Sequence, residues 1–480
     1  MSPTDQIKRR PRRALAVDAG KATRWLSRRL GKGGGTNYPG LVAQRIDPSA
    51  LRDLAASVPN GCVLITGTNG KTTTTRILAD AMRRSGLEPL TNREGSNMTP
   101  GVATTLLAQS DALGSLRVGE RAIGIFEIDE GHLLPAIQAV QPRLVLFTNL
   151  LRDQLDRYFE LDWTAHLWKE ALAELPESST VVLNADDPQV AYLGDDLSNP
   201  VLYYGIEDAR HALAELEHVS DSRRCLRCGA DLQYSHVFYA HFGHYSCPVC
   251  GWSRPDPRLS AWKIDLEGID GSRIEAVTPT GAVELELPLG GLFNAYNALA
   301  AAAAASALGV GTSSVAEAIG AARSAFGRLE RFTVEGKNAC LALVKNPSGY
   351  NEVLRLLLAD EHTYGLLLAL NDDGPDGRDV SWIWDVDLER CRERVRFVIC
   401  SGRRAQDLAL RLKYAELSKA DPPDPPPEVL VEPDVNKAFA LGLANVPDGN
   451  TLCVLPTYTA MWELRETLAK SGHLETFWKS

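Results

Sequence analysis

A chain of 480 residues is long enough for two or three domains, each with a full core. Its 44% hydrophobic and 23% charged content is ordinary for a globular protein, with no run of 18 uninterrupted apolar residues to cross a membrane. The charged N-terminus argues against a secretory signal peptide, and nine cysteines, four of them in CxxC pairs, fit metal binding in a reducing cytosol better than a disulfide framework. The expectation is a cytoplasmic protein.

Residues 1–45 read as a basic N-terminal arm. Within residues 1–32, ten Lys/Arg stand against Asp5 and Asp18, a net +8; the rest of the chain then carries −18 to give −10 overall. Leu15, Ala19, Ala22, Leu26 and Leu30 fall at helical spacing, with Trp25 alongside. Such a helix can lie peripherally on an anionic membrane surface, or pack on its own domain with a solvated face. An organelle transit peptide is a third option.

A central domain is expected over 46–331. The strand-like run CVLIT (62–66) leads into Gly67-Thr68-Asn69-Gly70-Lys71-Thr72-Thr73, and helical TRILADAMRR (75–84) follows. Backbone N–H groups of a glycine-rich turn at a helix N-terminus point at an anion, and the helix dipole favours negative charge there. Lys71 would reach the terminal phosphates of a nucleotide, and the hydroxyl of Thr72 or Thr73 would hold Mg²⁺. The longer pattern G-x-x-x-x-G-K-[ST] is not met, because Ile65 occupies its first glycine. Strand and helix on either side nevertheless supply the context for a phosphate site.

From residue 61 to about 205, strand candidates CVLIT, AIGIFEI, RLVLFTN, TVVLN and PVLYYG alternate with helical stretches. This argues for a mostly parallel sheet covered on both faces. AIGIF runs straight into Glu127, with Asp129 and Glu130 behind it; an acid ending a buried strand beside a phosphate loop is a candidate Mg²⁺ ligand. The polar cluster FTNLLRDQLDRY (147–158) follows the next strand and is expected to line the crevice.

Residues 220–256 interrupt the alternation. Cys225-Leu-Arg-Cys228, eighteen residues, then Cys247-Pro-Val-Cys250 is the spacing of two knuckles that present four thiolates to a structural Zn²⁺. A closed four-sulfur site leaves no open position for catalysis. His236, His241 and His244 are expected on the surface of this insert, and Cys62, Cys340, Cys391, Cys400 and Cys453 in the core. Strand-like RIEAVT and AVELELPL come next, then a long helix around AYNALAAAAAASAL that ends at Gly309. A second α/β series fills 332–480 (ACLALVKNP, YGLLLAL, VRFVICSG, TLCVLPT), with DPPDPPPEV (421–429) as an extended loop.

In order, GTNGKT, a strand ending in Glu127, TNLLRDQLDRY, GGLFNAYNALAA (290–301), FGRLERF (326–332) and KNPSGYNE (345–352) resemble the Mur ligase family. The resemblance implies a P-loop central domain, here with an inserted four-cysteine ribbon, and a C-terminal Rossmann-like α/β domain. It implies that ATP activates a carboxylate as an acyl phosphate, which an amine then attacks. It places Lys71 and Thr72 at the phosphates and Mg²⁺, Glu127 at Mg²⁺, Asn294 and Asn297 near the nucleotide and Arg328 near the phosphates. GGGTNYPG (33–40), NDDGPDGRDVSWIWD (371–385) and the ribbon are similar to one amidating branch, which acts on the D-Glu α-carboxylate of lipid II. With the phosphate loop starting at residue 67, the expectation is that the N-terminal domain that holds UDP-sugar in the peptide ligases is missing.

That branch takes ammonia from a separate GatD-like glutaminase, a class I amidotransferase-type subunit; no cysteine of this chain sits in a convincing glutaminase motif. Composition alone makes Asp376, in a Gly/Pro-rich loop, an ordinary Asp-Gly turn. The resemblance makes it the carboxylate that completes the partner's catalytic triad, with Asp372, Asp373 and above all Asp379 as rivals for the role. Two departures stand out: Asp153-Gln154-Leu155-Asp156 lacks the family's histidine, and ALVKNP keeps only Asn346 and Pro347 of the usual D-Y-A-H-N-P. Lys169 lies near the lysine that many relatives carbamylate.

Two other functions compete. A free-standing ligase adding an amino acid to a peptide or folate-like acid disagrees with the missing N-terminal domain. A P-loop protein binding nucleic acid through the ribbon would need a basic stripe, and residues 220–256 offer little beyond Arg223, Arg224, Arg227 and Arg254. No nucleic-acid partner is expected.

Overall fold

The computed structural model describes residues 3–29, 37–92, 96–152, 161–214, 222–324, 327–393, 395–415 and 427–474. The Asp153–Asp156 stretch, Leu30, residues 33–36, Phe326 and the proline-rich 421–426 lie outside them.

Helices α1 (Pro3–Arg29), α2 (Tyr38–Ile46) and α3 (Ala50–Ala55) precede β1 (Cys62–Thr66), which is buried at every position. Then α4 (Lys71–Arg84), β2 (Glu88–Thr91), α5 (Thr99–Ala108), β3 (Ala122–Glu127), α6 (Leu133–Val140), β4 (Leu144–Phe147), α7 (Leu161–Ala173), β5 (Thr180–Asn184), α8 (Pro188–Ala191) and β6 (Val201–Ile206) alternate; the apolar runs anticipate every one of these strands except β2. An insert carries the hairpin β7 (Gln233–Tyr239) and β8 (Phe242–Ser246). β9 (Leu259–Leu266), β10 (Ser272–Thr278) and β11 (Gly281–Leu287) then return to the main sheet. Its order is β11-β10-β9-β6-β5-β4-β1-β3-β2, parallel from β9 to β2 with an antiparallel β9-β10-β11 edge.

Strand alternation divides β1 between two cores. Val63 and Ile65 pack with Ile77 and Leu78 of α4 and with α9 (Leu292–Ala307) and α10 (Thr312–Gly320), whereas Cys62 and Leu64 join Leu54, Leu106, Ile137 and Trp168 on the other face. The alanines of α9 other than Ala307 are buried because a side chain of one carbon lets the helix lie close to α4 and the sheet. Gly309, at φ +80°, follows just beyond that helix.

The second sheet begins at β12 (Glu330–Val334) and β13 (Lys337–Leu341). It continues through α11 (Pro347–Ala359), β14 (Thr363–Ala369), β15 (Phe397–Ser401), α12 (Ala405–Tyr414), β16 (Glu428–Val431), α13 (Val435–Asn445), β17 (Thr451–Pro456) and α14 (Tyr458–Lys470). The order is β12-β13-β17-β14-β15-β16, parallel except for the β12-β13 pair. Separate cores cover its two faces.

Helix α1 buries Ala16, Val17 and Gly20 against α2 and α5, where a Cβ on Gly20 would stand 3.1 Å from Pro39 O. The apolar stripe picked out by sequence points the other way: Leu15, Trp25 and Leu26 are more than half exposed. Among the described residues no helix is long and apolar enough to cross a membrane.

Candidate functional site

The turn between β1 and α4 is shaped by close approach. Gly67 and Gly70 take φ +135° and +83°, and a Cβ would lie 2.1 Å from Thr148 Oγ1 at the first and 1.9 Å from Asn297 Oδ1 at the second. Only glycine fits such positions. The segment after β4 braces the turn from outside. Thr68 N donates to Asn149 O at 3.0 Å, Asn69 N to Asn149 Oδ1 at 2.8 Å, and Leu151 N to Thr68 Oγ1 at 3.0 Å. Thr148 Oγ1 donates to Asn69 O at 2.8 Å.

Lys71, at the first turn of α4, is buried and ion-paired with Glu130, Nζ to Oε1 3.2 Å. Its ammonium also meets the carbonyl oxygens of Gly67 and Thr68. Thr72 Oγ1 donates to Glu127 Oε2 at 2.8 Å, so a hydroxyl and a carboxylate converge from α4 and from the end of β3. Both are hard oxygen donors of the kind Mg²⁺ takes. The Asn92 side chain holds the Glu127 main chain in place, its Nδ2 donating to Glu127 O and its Oδ1 accepting Glu127 N, both at 2.9 Å.

Asn69, Gly70, Thr72 and Thr73 open onto a cleft between the two sheets. Asn294 and Asn297 from α9 line it, as do Arg328 from the connecting segment and Lys345 and Asn346 from the second unit. Asn346 also caps α11 by accepting Gly349 N at 2.8 Å, and its Nδ2 reaches Asn69 Oδ1 at 3.2 Å. Sequence reasoning thus gathers Gly67 to Thr73, Glu127, Asn294, Asn297 and Arg328 around one place. Lys169 instead lies over the Tyr192 ring, 4.1 Å from its centroid, outside the lining of the cleft.

Some members of the site escape sequence reasoning. Glu130 is named there only as an acid following Glu127, and its pairing with Lys71 needs the turn after β3 to fold back. Asn149 lies within the expected polar cluster, and its position directly after an apolar strand was the available signal. Tyr239, from the cysteine insert, lines the same cleft, and nothing local marks it.

The four cysteine sulfurs of the insert lie within 4.8 Å of one another, with Cys225 Sγ 3.5 Å from Cys250 Sγ and Cys228 Sγ 3.4 Å from Cys247 Sγ. Each knuckle closes alike: Gly229 N donates to Cys225 O at 2.8 Å and Gly251 N to Cys247 O at 3.0 Å, both glycines at positive φ. The peptide N–H of Cys250 holds the Cys247 thiol down, at about 6, while burial pushes Cys225 up to about 12. Four sulfurs in two matched turns fit a tetrahedral Zn²⁺.

The histidines correct the expectation of an exposed insert. His241 is fully buried, with Nε2 3.2 Å from Asp187 Oδ1, and His244 is half-buried with Nε2 2.8 Å from Ile206 O. The remaining cysteines, 62, 340, 391, 400 and 453, are buried as expected.

Asp376 is 4% exposed. Its carboxylate accepts Thr459 N at 2.9 Å and the Thr459 hydroxyl at 2.5 Å, at the first turn of α14. Around it, Asp373 pairs with Arg403 at 2.6 Å and Asp372 with Arg404 at 3.1 Å. Asp379 is half-buried and accepts Ser381 N at 2.8 Å; the Ser381 hydroxyl and N–H hold its carboxyl below the usual range.

A family model of the Mur ligase middle domain matches residues 65–305, and one of the MurT ligase C-terminal region matches 343–461. A lipid II isoglutaminyl synthase (glutamine-hydrolyzing) subunit MurT from Staphylococcus aureus strain N315 is 34% identical over 463 residues, 96% of this chain and 98% of that one. The chain belongs to the MurT family. The MurT subunit of Streptococcus pneumoniae strain ATCC BAA-255 / R6 is likewise 34% identical, over 95% of this chain and 96% of its own. Among solved structures, a pseudomurein peptide ligase type C from Methanothermus fervidus superposes with a TM-score of 0.66 at 22% identity, covering 85% of this chain and 78% of that one. The MurT family therefore has, in this member, the mixed α/β fold of Mur ligases.

Proposed function

We propose that the chain is the synthetase subunit of a lipid II isoglutaminyl synthase in peptidoglycan biosynthesis. The carrying observation is the match to curated MurT subunits along almost the whole length of both chains. The subunit acts as an ATP-dependent carbon–nitrogen ligase. An oxygen of the D-Glu α-carboxylate of the stem peptide attacks the γ-phosphorus of ATP, and ADP leaves. Ammonia then attacks the acyl carbon, inorganic phosphate leaves, and D-isoglutamine remains.

Each residue has a part in this scheme. Backbone N–H groups of 67–73 bind the phosphates, Lys71 and Arg328 offset charge on the transferring group, and Thr72 with Glu127 holds Mg²⁺. Asn294 and Asn297 border the nucleotide. Cys225, Cys228, Cys247 and Cys250 bind a structural Zn²⁺, whose binding energy adds to folding energy. A GatD-like glutaminase supplies ammonia from glutamine, with Asp376 of this chain orienting the partner's histidine. Asp379, more exposed than Asp376, is the second candidate for this part. The basic arm, with Leu15, Trp25 and Leu26 outward on α1, supports peripheral contact with the inner face of the membrane, where lipid II is held.

The test is amidation of lipid II by this chain with a GatD-type partner, ATP, Mg²⁺ and amide-¹⁵N glutamine. Isotope in the α-amide with matching ADP release is expected. ATP turnover that yields peptide extension and no amide would establish an amino-acid-adding ligase instead.

A further inference from the structure

We propose that the cysteine insert belongs to the nucleotide site, with Tyr239 as the side chain against which the base of ATP lies. The inference rests on the cleft being the ATP site. The hairpin β7–β8 runs from the first knuckle to the second, and its turn is the deepest part of the insert. Tyr239, Ala240, His241 and Phe242 are 3%, 0%, 0% and 0% exposed. Ala240 takes φ +50°, a conformation that residues other than glycine seldom adopt, so this turn is held in an unusual shape.

Tyr239 packs on Phe242 and Tyr296, with ring centroids 4.4 and 6.0 Å away, and it lines the cleft together with Leu289 and Phe293. The phosphate loop supplies the polar part of that cleft, and these side chains supply apolar and aromatic surface suited to a flat purine. The turn is also tied to the phosphate loop. Asp187 receives His241 on one oxygen at 3.2 Å and Leu150 N on the other at 2.7 Å. Leu150 sits between Asn149 and Leu151, which bond Thr68 and Asn69. The second knuckle is anchored nearby, where Arg254 Nε meets buried Asp186 Oδ1 at 2.6 Å and Tyr245 donates to Ala185 O at 3.2 Å. The hairpin turn, the approach to the second knuckle and the phosphate loop are therefore linked through Ala185, Asp186 and Asp187.

The test compares binding of ATP and of inorganic tripolyphosphate, with Mg²⁺, to the full chain by calorimetry. Tyr239→Leu is expected to weaken ATP about tenfold through lost stacking, to leave tripolyphosphate unchanged, and to be rescued by Tyr239→Phe. Cys250→Ser, with metal content measured in parallel, is expected to lose Zn²⁺ and the same base-selective part of the affinity. A folded Tyr239→Leu that binds ATP like wild type, or loses ATP and tripolyphosphate equally, overturns the proposal. If that variant does not fold, an unchanged ATP-to-tripolyphosphate ratio in metal-free Cys250→Ser overturns it. Wild-type protein that binds neither ligand would instead refute the ATP site itself.

Discussion

At the scale of single residues, Lys71 has two jobs that a simple deletion confuses. It is the cation proposed to meet the transferring phosphate, and it neutralises Glu130, which is 6% exposed. Removing one partner of a buried ion pair leaves the other charge stranded, at about 3–5 kcal/mol. Lys71→Ala is therefore expected to abolish amidation and to lower stability together. The double variant Lys71→Met/Glu130→Gln removes both charges, so most of the stability returns while the rate does not. Thermal unfolding alongside ATP-dependent incorporation of ¹⁵N-ammonia separates the two effects. Amidation recovered in the double variant would show that Lys71 serves the fold alone.

At the scale of elements, the two knuckles and the N-terminal helix each carry a prediction. Cys225 is buried within the cysteine cluster, and its knuckle leads directly into the hairpin. Cys225→Ser should lose Zn²⁺ and melt lower by on the order of 5 °C, both falling together. A metal-free variant with an unchanged melting temperature would deny the cluster a structural role. On α1, Trp25→Ala/Leu26→Ala removes exposed apolar surface and leaves packed Ala16, Val17 and Gly20 alone. Partition onto vesicles containing phosphatidylglycerol should drop about tenfold with melting unchanged. Partition equal to wild type would leave that face without a role at lipid.

This helix also marks a limit of legibility. Its periodicity was readable, but the domain packs on a face of small residues, and no local pattern says which face a neighbour will take. Buried parallel strands such as β1, β3 and β4 were readable because unbroken apolar runs end at polar site residues. β2, with Glu88 and Pro89 at the sheet edge, lacks such a run. His241 was misjudged because its burial depends on Asp187, far away in sequence. The candidate site was legible where one loop supplies it, and obscure where distant turns, Glu130 and Tyr239 among them, fold into it.

At the scale of the whole molecule, the question is how the proposed ATP cleft of this chain would work with the proposed glutaminase partner. The loop 371–385 bears on both. It begins at the end of β14 and carries Asp376, and its Asp385 Oδ2 lies 2.5 Å from Arg152 Nη2, just beyond the segment that braces the phosphate loop. Asp372 and Asp373 pair with Arg404 and Arg403, while Asp376 accepts Thr459 N and Asp379 accepts Ser381 N. Asp376 must turn away from Thr459 to reach a partner histidine, whereas Asp379 is already half-exposed. Asparagine separates cap from charge: Asp376→Asn still offers an oxygen to Thr459 N, so α14 keeps its cap, but the anion that would stabilise an imidazolium is gone. We expect Asp376→Asn to form the complex and to amidate with added ammonia at near the wild-type rate. With glutamine as nitrogen source it should lose at least about a hundredfold, because thiol activation in the partner fails. Steady-state amidation of lipid II with each nitrogen source measures both arms. If Asp379→Asn shows that split while Asp376→Asn treats both sources alike, the half-exposed carboxylate serves the partner and Asp376 only caps α14.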